Sequence, residues 1–275
     1  MHMTITFRNI LLLTIAFASV ACSEFRKIQK SGDWKVKYNA ALEYYDEGDY
    51  YKAGVLLEEI LPIIRGTEEA ELANFRHAYA YFHQKQYILS SHYFKLFTEV
   101  YGRSEYVEEA QYMYAFSLYK QSPQSSLDQT STYEAIAAMQ NFLNRYPFSE
   151  YAEKADDLID EMQVKLERKA YDNAKLYYQL RRYKAALIAF DNFQYDYPDS
   201  KFNEEIAFLA IETAFDLAEV SIRTKQEERY QNTVDLYQKF VDKYPDSKYL
   251  KRAEKFYADS IEQLTTFADQ NNKNQ

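Results

Sequence analysis

Tyr197-Pro198-Asp199-Ser200 and Tyr244-Pro245-Asp246-Ser247 are two copies of a short motif that decides the fold of this chain. Two further copies precede them, Tyr101-Gly102-Arg103-Ser104 and Tyr146-Pro147-Phe148-Ser149. Each copy of this boundary motif is followed by Glu or Lys, then an aromatic residue, then a helix-forming run. Proline or glycine ends one helix, and the serine is placed to cap the next helix by accepting a hydrogen bond from its free amides. The repetition, at spacings of 45, 51 and 47 residues, predicts an array of helical repeats.

A second pattern marks the turn inside the hairpins. Gly48-Asp49-Tyr50 leads to Ala53, Lys85-Gln86-Tyr87 leads to Ser90, and Arg181-Arg182-Tyr183 leads to Ala186. An aromatic residue followed three positions later by a small one lets the second helix begin close against the first. Alignment on this turn brings Ala41, Ala78 and Ala174 to one position, as in the tetratricopeptide repeat, although the leading Trp of that consensus is absent.

The remaining units fit the same plan with insertions. A polar loop at 122–126 separates predicted helices 106–120 and 132–146, and the last unit has predicted helices 203–223 and 230–244. One long helix over 151–180 and a capping helix over 248–267 complete the array. The predicted fold class is all-α, an α-solenoid of about five tetratricopeptide-like hairpins with a C-terminal capping helix.

The N-terminus has the form of a secretory targeting signal. Arg8 precedes an apolar run over 10–20 that is too short to span a bilayer comfortably, and the run ends at Ala21-Cys22. Cys22 is the only cysteine, and Val-Ala-Cys resembles a lipobox, with Ser19 where Leu is usual. We therefore expect a covalent lipid on Cys22. The alternative is an incidental cysteine in a signal peptide that is cleaved elsewhere.

These features predict four segments. They are a lipoprotein signal peptide at 1–21, a tether at 22–32, the repeat solenoid at 33–268 and a polar tail at 269–275. With Ser23 rather than Asp after the cysteine, the expected location is the periplasmic face of the outer membrane, with acyl chains as the anchor.

Composition and motif searches argue against several functions. The net charge of −9 disfavours nucleic acid as a partner. Neither the four histidines nor the carboxylate clusters have metal-ligand spacing, and the five glycines form no phosphate loop. We therefore predict no catalytic residues, no metal site, no cofactor besides the lipid, and no enzymatic activity.

Aromatic residues recur on the first helices of the hairpins. One register position holds Tyr38, Phe75, Tyr112 and Tyr171, and the position seven residues later holds Tyr45, Phe82, Tyr119 and Tyr178. Between them lie Leu42, Tyr79, Phe116 and Lys175. Two interpretations stay open: the rings pack between neighbouring hairpins, or they form a groove for extended polypeptide, because tyrosine offers apolar area and a hydroxyl at little entropic cost.

The lipobox, the five units, the boundary motifs and the long helix 151–180 together resemble the BamD family of outer-membrane lipoproteins of the β-barrel assembly machinery. The resemblance covers roughly residues 22–267 and is most specific over 146–200. The insertion in the third unit is shorter than in the family. The resemblance implies a non-enzymatic scaffold that holds the periplasmic domains of BamA and receives unfolded outer-membrane proteins, with accessory lipoproteins of the machinery as further candidate partners.

The resemblance implies two regions of contact on this chain. For the client-binding groove the predicted residues are Tyr38, Tyr45, Phe75, Tyr79 and Phe82, and for the contact with BamA they are Arg181, Arg182 and Lys184. The main alternative function is a generic envelope tetratricopeptide lipoprotein that scaffolds peptidoglycan or polysaccharide export machinery. A sugar-binding protein that stacks tyrosine rings on carbohydrate is a second alternative, and an enzyme is a distant third.

Overall fold

The computed structural model describes residues 24–273, with side chains through residue 270. This part of the chain contains helices and turns and no β-strand. Its twelve helices are α1 (24–29), α2 (Trp34–Asp46), α3 (Tyr50–Ile60), α4 (Glu69–His83), α5 (Tyr87–Val100), α6 (Val107–Tyr119), α7 (Thr130–Arg145), α8 (Ala152–Gln179), α9 (Tyr183–Asp196), α10 (Asn203–Glu219), α11 (Arg223–Lys243) and α12 (Leu250–Lys273). None of the described helices is long and apolar enough to cross a membrane.

Helices α2 to α11 form five successive hairpins, and α12 follows them, so the prediction of an all-α tetratricopeptide-like solenoid is confirmed. The chain divides into two compact units, with unit 1 ending at Met162 and unit 2 beginning at Gln163. Each unit has its own core of buried aromatic residues from the second helices. In unit 1 these include Phe94, Phe97 and Phe142, and in unit 2 Phe190, Phe193 and Phe240.

The boundary motif makes the same turn four times. The serine amide donates to the tyrosine carbonyl three residues earlier, at 2.9 Å for Ser104, 3.2 Å for Ser149 and 3.1 Å for both Ser200 and Ser247. Each serine Oγ accepts a bond from the amide of the aromatic residue two positions later, at 3.0–3.1 Å. The predicted role as helix cap needs correction, because the next helix begins three residues after the serine. The serine instead fixes the turn that leads into the helix.

Three of the four serines also tie neighbouring hairpins together. Ser104 Oγ donates to Glu71 on α4, Ser200 Oγ donates to Glu167 on α8, and Ser247 Oγ donates to Glu204 on α10. In each case the acceptor lies on the first helix of the preceding hairpin. At these three motifs one serine side chain therefore contributes both to the local turn and to the docking of one hairpin on the next.

The aromatic residue after each boundary motif stacks on a ring of the preceding hairpin. The four pairs and their ring-centroid distances are Phe75–Tyr106 at 4.7 Å, Tyr112–Tyr151 at 4.5 Å, Tyr171–Phe202 at 4.2 Å and Phe208–Tyr249 at 4.8 Å. The first-helix member of every pair is buried. This register position therefore serves packing between hairpins, which was one of the two open interpretations.

The turn inside three hairpins places one residue in the left-handed conformation. Its φ is 83° at Gly48, 60° at Lys85 and 54° at Arg181. Around Lys85 the amides of Lys85 and Gln86 donate to the carbonyls of Phe82 and Tyr81, which is the Schellman pattern at a helix C-terminus. Arg181 and Arg182 repeat this pattern. Only glycine adopts this conformation without a steric cost, so Lys85 and Arg181 are strained positions.

The predicted helix boundaries were wrong in two places, between α10 and α11 and at the end of α12. Helix α10 ends at Glu219 and α11 begins at Arg223, whereas the prediction ran the first helix to 223 and started the second at 230. The Ser221 hydroxyl bonds the Leu217 carbonyl, and Ile222 is extended with φ −62° and ψ 146°, which breaks the helix. Helix α12 continues to Lys273, into the predicted tail, because residues 268–273 contain no glycine or proline to stop it.

Residues 24–29, which lie within the predicted tether, form helix α1. Phe25 and Ile28 of α1 pack against the core of the first hairpin, and the rings of Phe25 and Tyr44 meet edge-on at 5.9 Å. Gln29 Nε2 donates to Glu59 on α3 at 2.9 Å. Helix α1 therefore begins two residues after Cys22, which itself lies outside the described residues.

Candidate functional site

The candidate site is a chain of four rings on the first helices of two neighbouring hairpins in unit 1. We call it the aromatic face and define it by Tyr79 and Phe82 on α4 and Phe116 and Tyr119 on α6. Ring-centroid distances along the chain are 6.5 Å, 5.6 Å and 5.8 Å. All four side chains are partly exposed. The two residues from each helix are three positions apart, so they lie on one side of that helix.

Charged side chains of α6 and of the following hairpin lie beside this face. The ammonium groups of Lys120 and Lys154 lie 4.9 Å and 5.1 Å from the centre of the Phe116 ring, within cation–π range. Tyr119 donates its hydroxyl to Glu161 on α8 at 2.8 Å, and Tyr79 donates its hydroxyl to Glu109 on α6. The face therefore combines partly exposed rings with two cations at Phe116 and one carboxylate at each tyrosine hydroxyl.

The hydroxyls of the face stay protonated. Burial raises the pKa of Tyr79, and the hydrogen bond and negative charge of Glu109 raise it further. Burial likewise raises the pKa of Tyr119, with Glu161 acting in the same direction. Both groups are therefore hydrogen-bond donors at neutral pH, and neither has the lowered pKa of an activated base or nucleophile.

This arrangement suits binding rather than chemistry. Partly exposed rings offer apolar contact area that does not depend on a defined sequence, and the two lysines beside Phe116 can pair with carboxylates of a bound chain. Among the described residues no group of three or more His, Cys, Asp or Glu side chains could hold a metal ion.

The structure separates the five predicted client-binding residues. Tyr79 and Phe82 belong to the aromatic face. Tyr45 and Phe75 are buried, with 8% and 4% of their surface exposed, so they cannot present ring faces to a client. Phe75 is covered by Tyr106, and Tyr45 by Tyr50 and the Arg76 guanidinium. Tyr38 is partly buried and packs instead against the core of the first hairpin.

Phe116, Tyr119 and their charged neighbours were missing from the predicted site. The repeat register had already placed Phe116 and Tyr119 at the positions of Tyr79 and Phe82, so the sequence contained a signal for these two. Lys154 and Glu161 come from the following hairpin, and nothing in the local sequence marks them as neighbours of these rings.

The three predicted partner-binding residues lie together at the α8–α9 turn in unit 2, and all are exposed. Arg181 holds the left-handed position of that turn. Burial raises the pKa of Asp216, and the nearby Arg181 charge opposes that rise. On α9, Lys184 shares one side of the helix with Ile188 and Tyr195, which are 64% and 86% exposed. A basic group therefore lies beside an apolar strip that unit 2 leaves uncovered.

The fold and these two surfaces define a class, the tetratricopeptide scaffolds, which bind other polypeptides on helical faces. Residues 31–213, about two thirds of the chain, match the family model described as YfiO, outer membrane lipoprotein. The chain therefore belongs to this family of BamD-type outer membrane lipoproteins, and the resemblance seen in the sequence is confirmed. Residues 216–247 match a tetratricopeptide repeat model. None of the curated proteins matches the chain.

Family membership associates the protein with the outer membrane and makes it a scaffold-type lipoprotein.

Proposed function

We propose that this protein is a periplasmic scaffold of the β-barrel assembly machinery, anchored to the outer membrane by a lipid on Cys22. In this role it holds the periplasmic domains of BamA and receives unfolded outer-membrane proteins. The observation that carries the proposal is the family match over residues 31–213, which includes both the aromatic face and the α8–α9 surface.

The aromatic face supports the client-binding part of the proposal. An unfolded membrane protein presents apolar and aromatic side chains in no fixed order, and partly exposed rings bind such chains without selecting one sequence. Lys120 and Lys154 add affinity for carboxylates near the bound segment.

The α8–α9 surface supports the contact with BamA. Arg181, Arg182 and Lys184 provide exposed cations, and Ile188 and Tyr195 provide adjacent apolar area. A polar rim around exposed aromatic and aliphatic side chains is the usual composition of a protein–protein interface.

The test is affinity purification of the tagged full-length protein from detergent-solubilised envelopes, with mass spectrometry of the proteins that accompany it. The proposal predicts a stoichiometric large barrel protein with repeated periplasmic domains. Its reproducible absence, with cell-wall or export proteins in its place, would favour the generic envelope scaffold instead.

A Cys22→Ala variant tests the anchor in the same cells. It should move the protein from the membrane fraction to the soluble periplasmic fraction and leave its helical circular dichroism unchanged. If the variant still fractionated with the outer membrane in cells depleted of BamA, the anchor assignment would be wrong.

A further inference from the structure

The N-terminal end of unit 1 carries a charge opposite to that of the whole protein. Residues 24–37 contain five cations and two carboxylates, a net charge of +3, whereas the chain as a whole has a net charge of −9. The five cations are Arg26, Lys27, Lys30, Lys35 and Lys37. A local reversal of this size needs an explanation, because an acidic protein gains no solubility from it.

Helix α1 holds its cations outward. Phe25 and Ile28 face the core of the first hairpin, while Arg26, Lys27 and Lys30 are exposed. Among the residues that the structure describes, these three cations form no ion pair. Their positions are therefore fixed by the packing of α1 rather than by mutual contacts with carboxylates.

Two contacts with Glu59 keep α1 and α2 in place. Glu59 accepts from Gln29 Nε2 at 2.9 Å and from Lys37 Nζ at 2.5 Å. Partial burial alone would raise the pKa of Glu59, but these two donors outweigh it and lower the pKa. Lys37 is thereby paired with a carboxylate, whereas Arg26, Lys27, Lys30 and Lys35 form no ion pair among the described residues; of these four, Lys35 has its charge near Glu69.

Interfacial side chains lie beside these cations. Trp34 is partly exposed with the Lys35 ammonium 5.5 Å from its ring, and Val36 is 44% exposed. Tryptophan with lysine and arginine is the combination that prefers the boundary between lipid headgroups and water. We call this set, Arg26, Lys27, Lys30, Trp34 and Lys35, the basic patch.

We propose that the basic patch binds the headgroups of anionic phospholipids, so that unit 1 lies against the membrane surface rather than hanging from it. The patch begins four residues after Cys22, and to that extent the inference rests on the anchor proposed above. Fully extended, four residues span at most about 14 Å, so a lipid on Cys22 keeps the patch within reach of the headgroups.

The combination of a lipid anchor with an adjacent basic patch has a physical reason. Acyl chains on Cys22 hold the protein to a bilayer of any composition, and a group of cations next to them adds a second attraction that is strongest for anionic lipid. The second attraction also restricts rotation of unit 1 about the anchor. This electrostatic attraction falls off within a Debye length of the membrane, so only cations close to the membrane surface contribute to it.

The test removes the lipid and measures the patch alone. The mature chain, residues 22–275 with Cys22→Ser, is mixed with vesicles of pure phosphatidylcholine, or of phosphatidylcholine with an equal amount of phosphatidylglycerol, and co-sedimentation is measured. We expect binding to the anionic vesicles only, weakening as salt is added. The triple variant Arg26→Glu, Lys27→Glu, Lys30→Glu should bind about a hundredfold more weakly.

A matched variant controls for net charge. Lys239→Glu, Lys251→Glu and Lys255→Glu reverse the same number of exposed cations in unit 2 and alter the total charge equally. This variant should retain the affinity of its Cys22→Ser parent. Absence of binding to anionic vesicles, equal binding to both vesicle types, or an equal loss in both triple variants would overturn the proposal. None of these outcomes bears on the purification with BamA, so the two proposals fail separately.

Discussion

The rings of Tyr171 and Phe202 stack with their centroids 4.2 Å apart and their planes 22° apart, joining two successive hairpins of unit 2. Phe202 is the aromatic residue that follows the boundary motif at 197–200, and Tyr171 lies on the first helix of the hairpin before it. The Arg168 guanidinium lies 5.5 Å and 5.8 Å from the two ring centres. The stack of two rings repeats at the three other boundary motifs, so it is a general joint of the array.

Loss of this joint should destabilise unit 2. We expect Phe202→Ala to lower the free energy of unfolding by about 3 kcal/mol, because it removes buried apolar area and the stack together. Phe202→Leu keeps most of the volume and should cost about 1 kcal/mol. Urea denaturation followed by circular dichroism measures both. Phe148, which is 98% exposed, is the matched control, and a Phe148→Ala loss as large as that of Phe202→Ala would contradict the assignment.

Substitution of the left-handed residues Lys85 and Arg181 by glycine should increase the stability of the protein. Replacing either by glycine removes the clash of a Cβ at positive φ, and we expect each variant to gain about 1 kcal/mol in free energy of unfolding. The same urea measurement applies. Lys85→Gly and Arg181→Gly should also differ in function, because Arg181 alone belongs to the proposed contact with BamA.

Binding of the purified BamA periplasmic domains therefore distinguishes the two glycine variants. Arg181→Gly should bind severalfold more weakly although it folds more stably, and Lys85→Gly should bind as the wild type does. Equal affinity of both variants and the wild type would remove Arg181 from the interface. A loss of stability in either variant would show that the side chain makes contacts that outweigh the backbone strain.

His77 predicts a pH dependence of stability in unit 1. Its side chain is buried, neither ring nitrogen has a hydrogen-bond partner among the described residues, and burial lowers its pKa to about 4. In the unfolded chain the pKa is about 6.5. The unfolded state therefore takes up the proton first as the solution is acidified. The stabilisation is complete above pH 6.5 and is lost as the pH falls from 6.5 towards 4, by about 3 kcal/mol.

The His77→Phe variant isolates this effect, because phenylalanine fills a similar volume and does not titrate. Urea unfolding at about pH 7 and about pH 4.5 should show a smaller acid loss for His77→Phe than for the wild type. His92 lies exposed on α5, and His92→Phe should behave as the wild type does. The same pH dependence in the wild type and His77→Phe would refute the prediction.

The repeat plan could be predicted from the sequence because its signals are local. Proline and glycine in the boundary motifs, and the turn at 48–50 and its counterparts, mark where helices end. The break at Ser221 and Ile222 was missed because it depends on a side-chain hydroxyl competing for a backbone carbonyl, with no glycine or proline to reveal it. The extension of α12 into the predicted tail was also missed, because no glycine or proline marks where that helix ends.

The candidate site was predicted only in part because exposure is a property of neighbours. Phe75 and Phe82 both occupy first-helix register positions that hold aromatic residues. Tyr106, which precedes the next hairpin, covers Phe75, whereas Phe82 stays partly exposed. The helical role of residues 24–29 was likewise invisible, because it depends on α1 packing against α2 and α3. In a repeat array the local motif predicts the hairpin, and the adjoining hairpin decides which of its rings are exposed.

Binding of an unfolded outer-membrane protein to the aromatic face is the most direct test of the central claim. Fluorescence anisotropy with a labelled, urea-diluted barrel fragment should show that the double variant Phe82→Leu, Phe116→Leu binds about tenfold more weakly, because leucine lacks the ring contact and the cation–π partner of Lys120 and Lys154. Its free energy of unfolding should fall by about 2 kcal/mol at most, so that it stays folded in the assay, and Phe148→Leu should bind as the wild type does. Unchanged affinity, together with a marked fall in the unfolding midpoint of the double variant, would show that these rings only pack the repeats and would contradict the account.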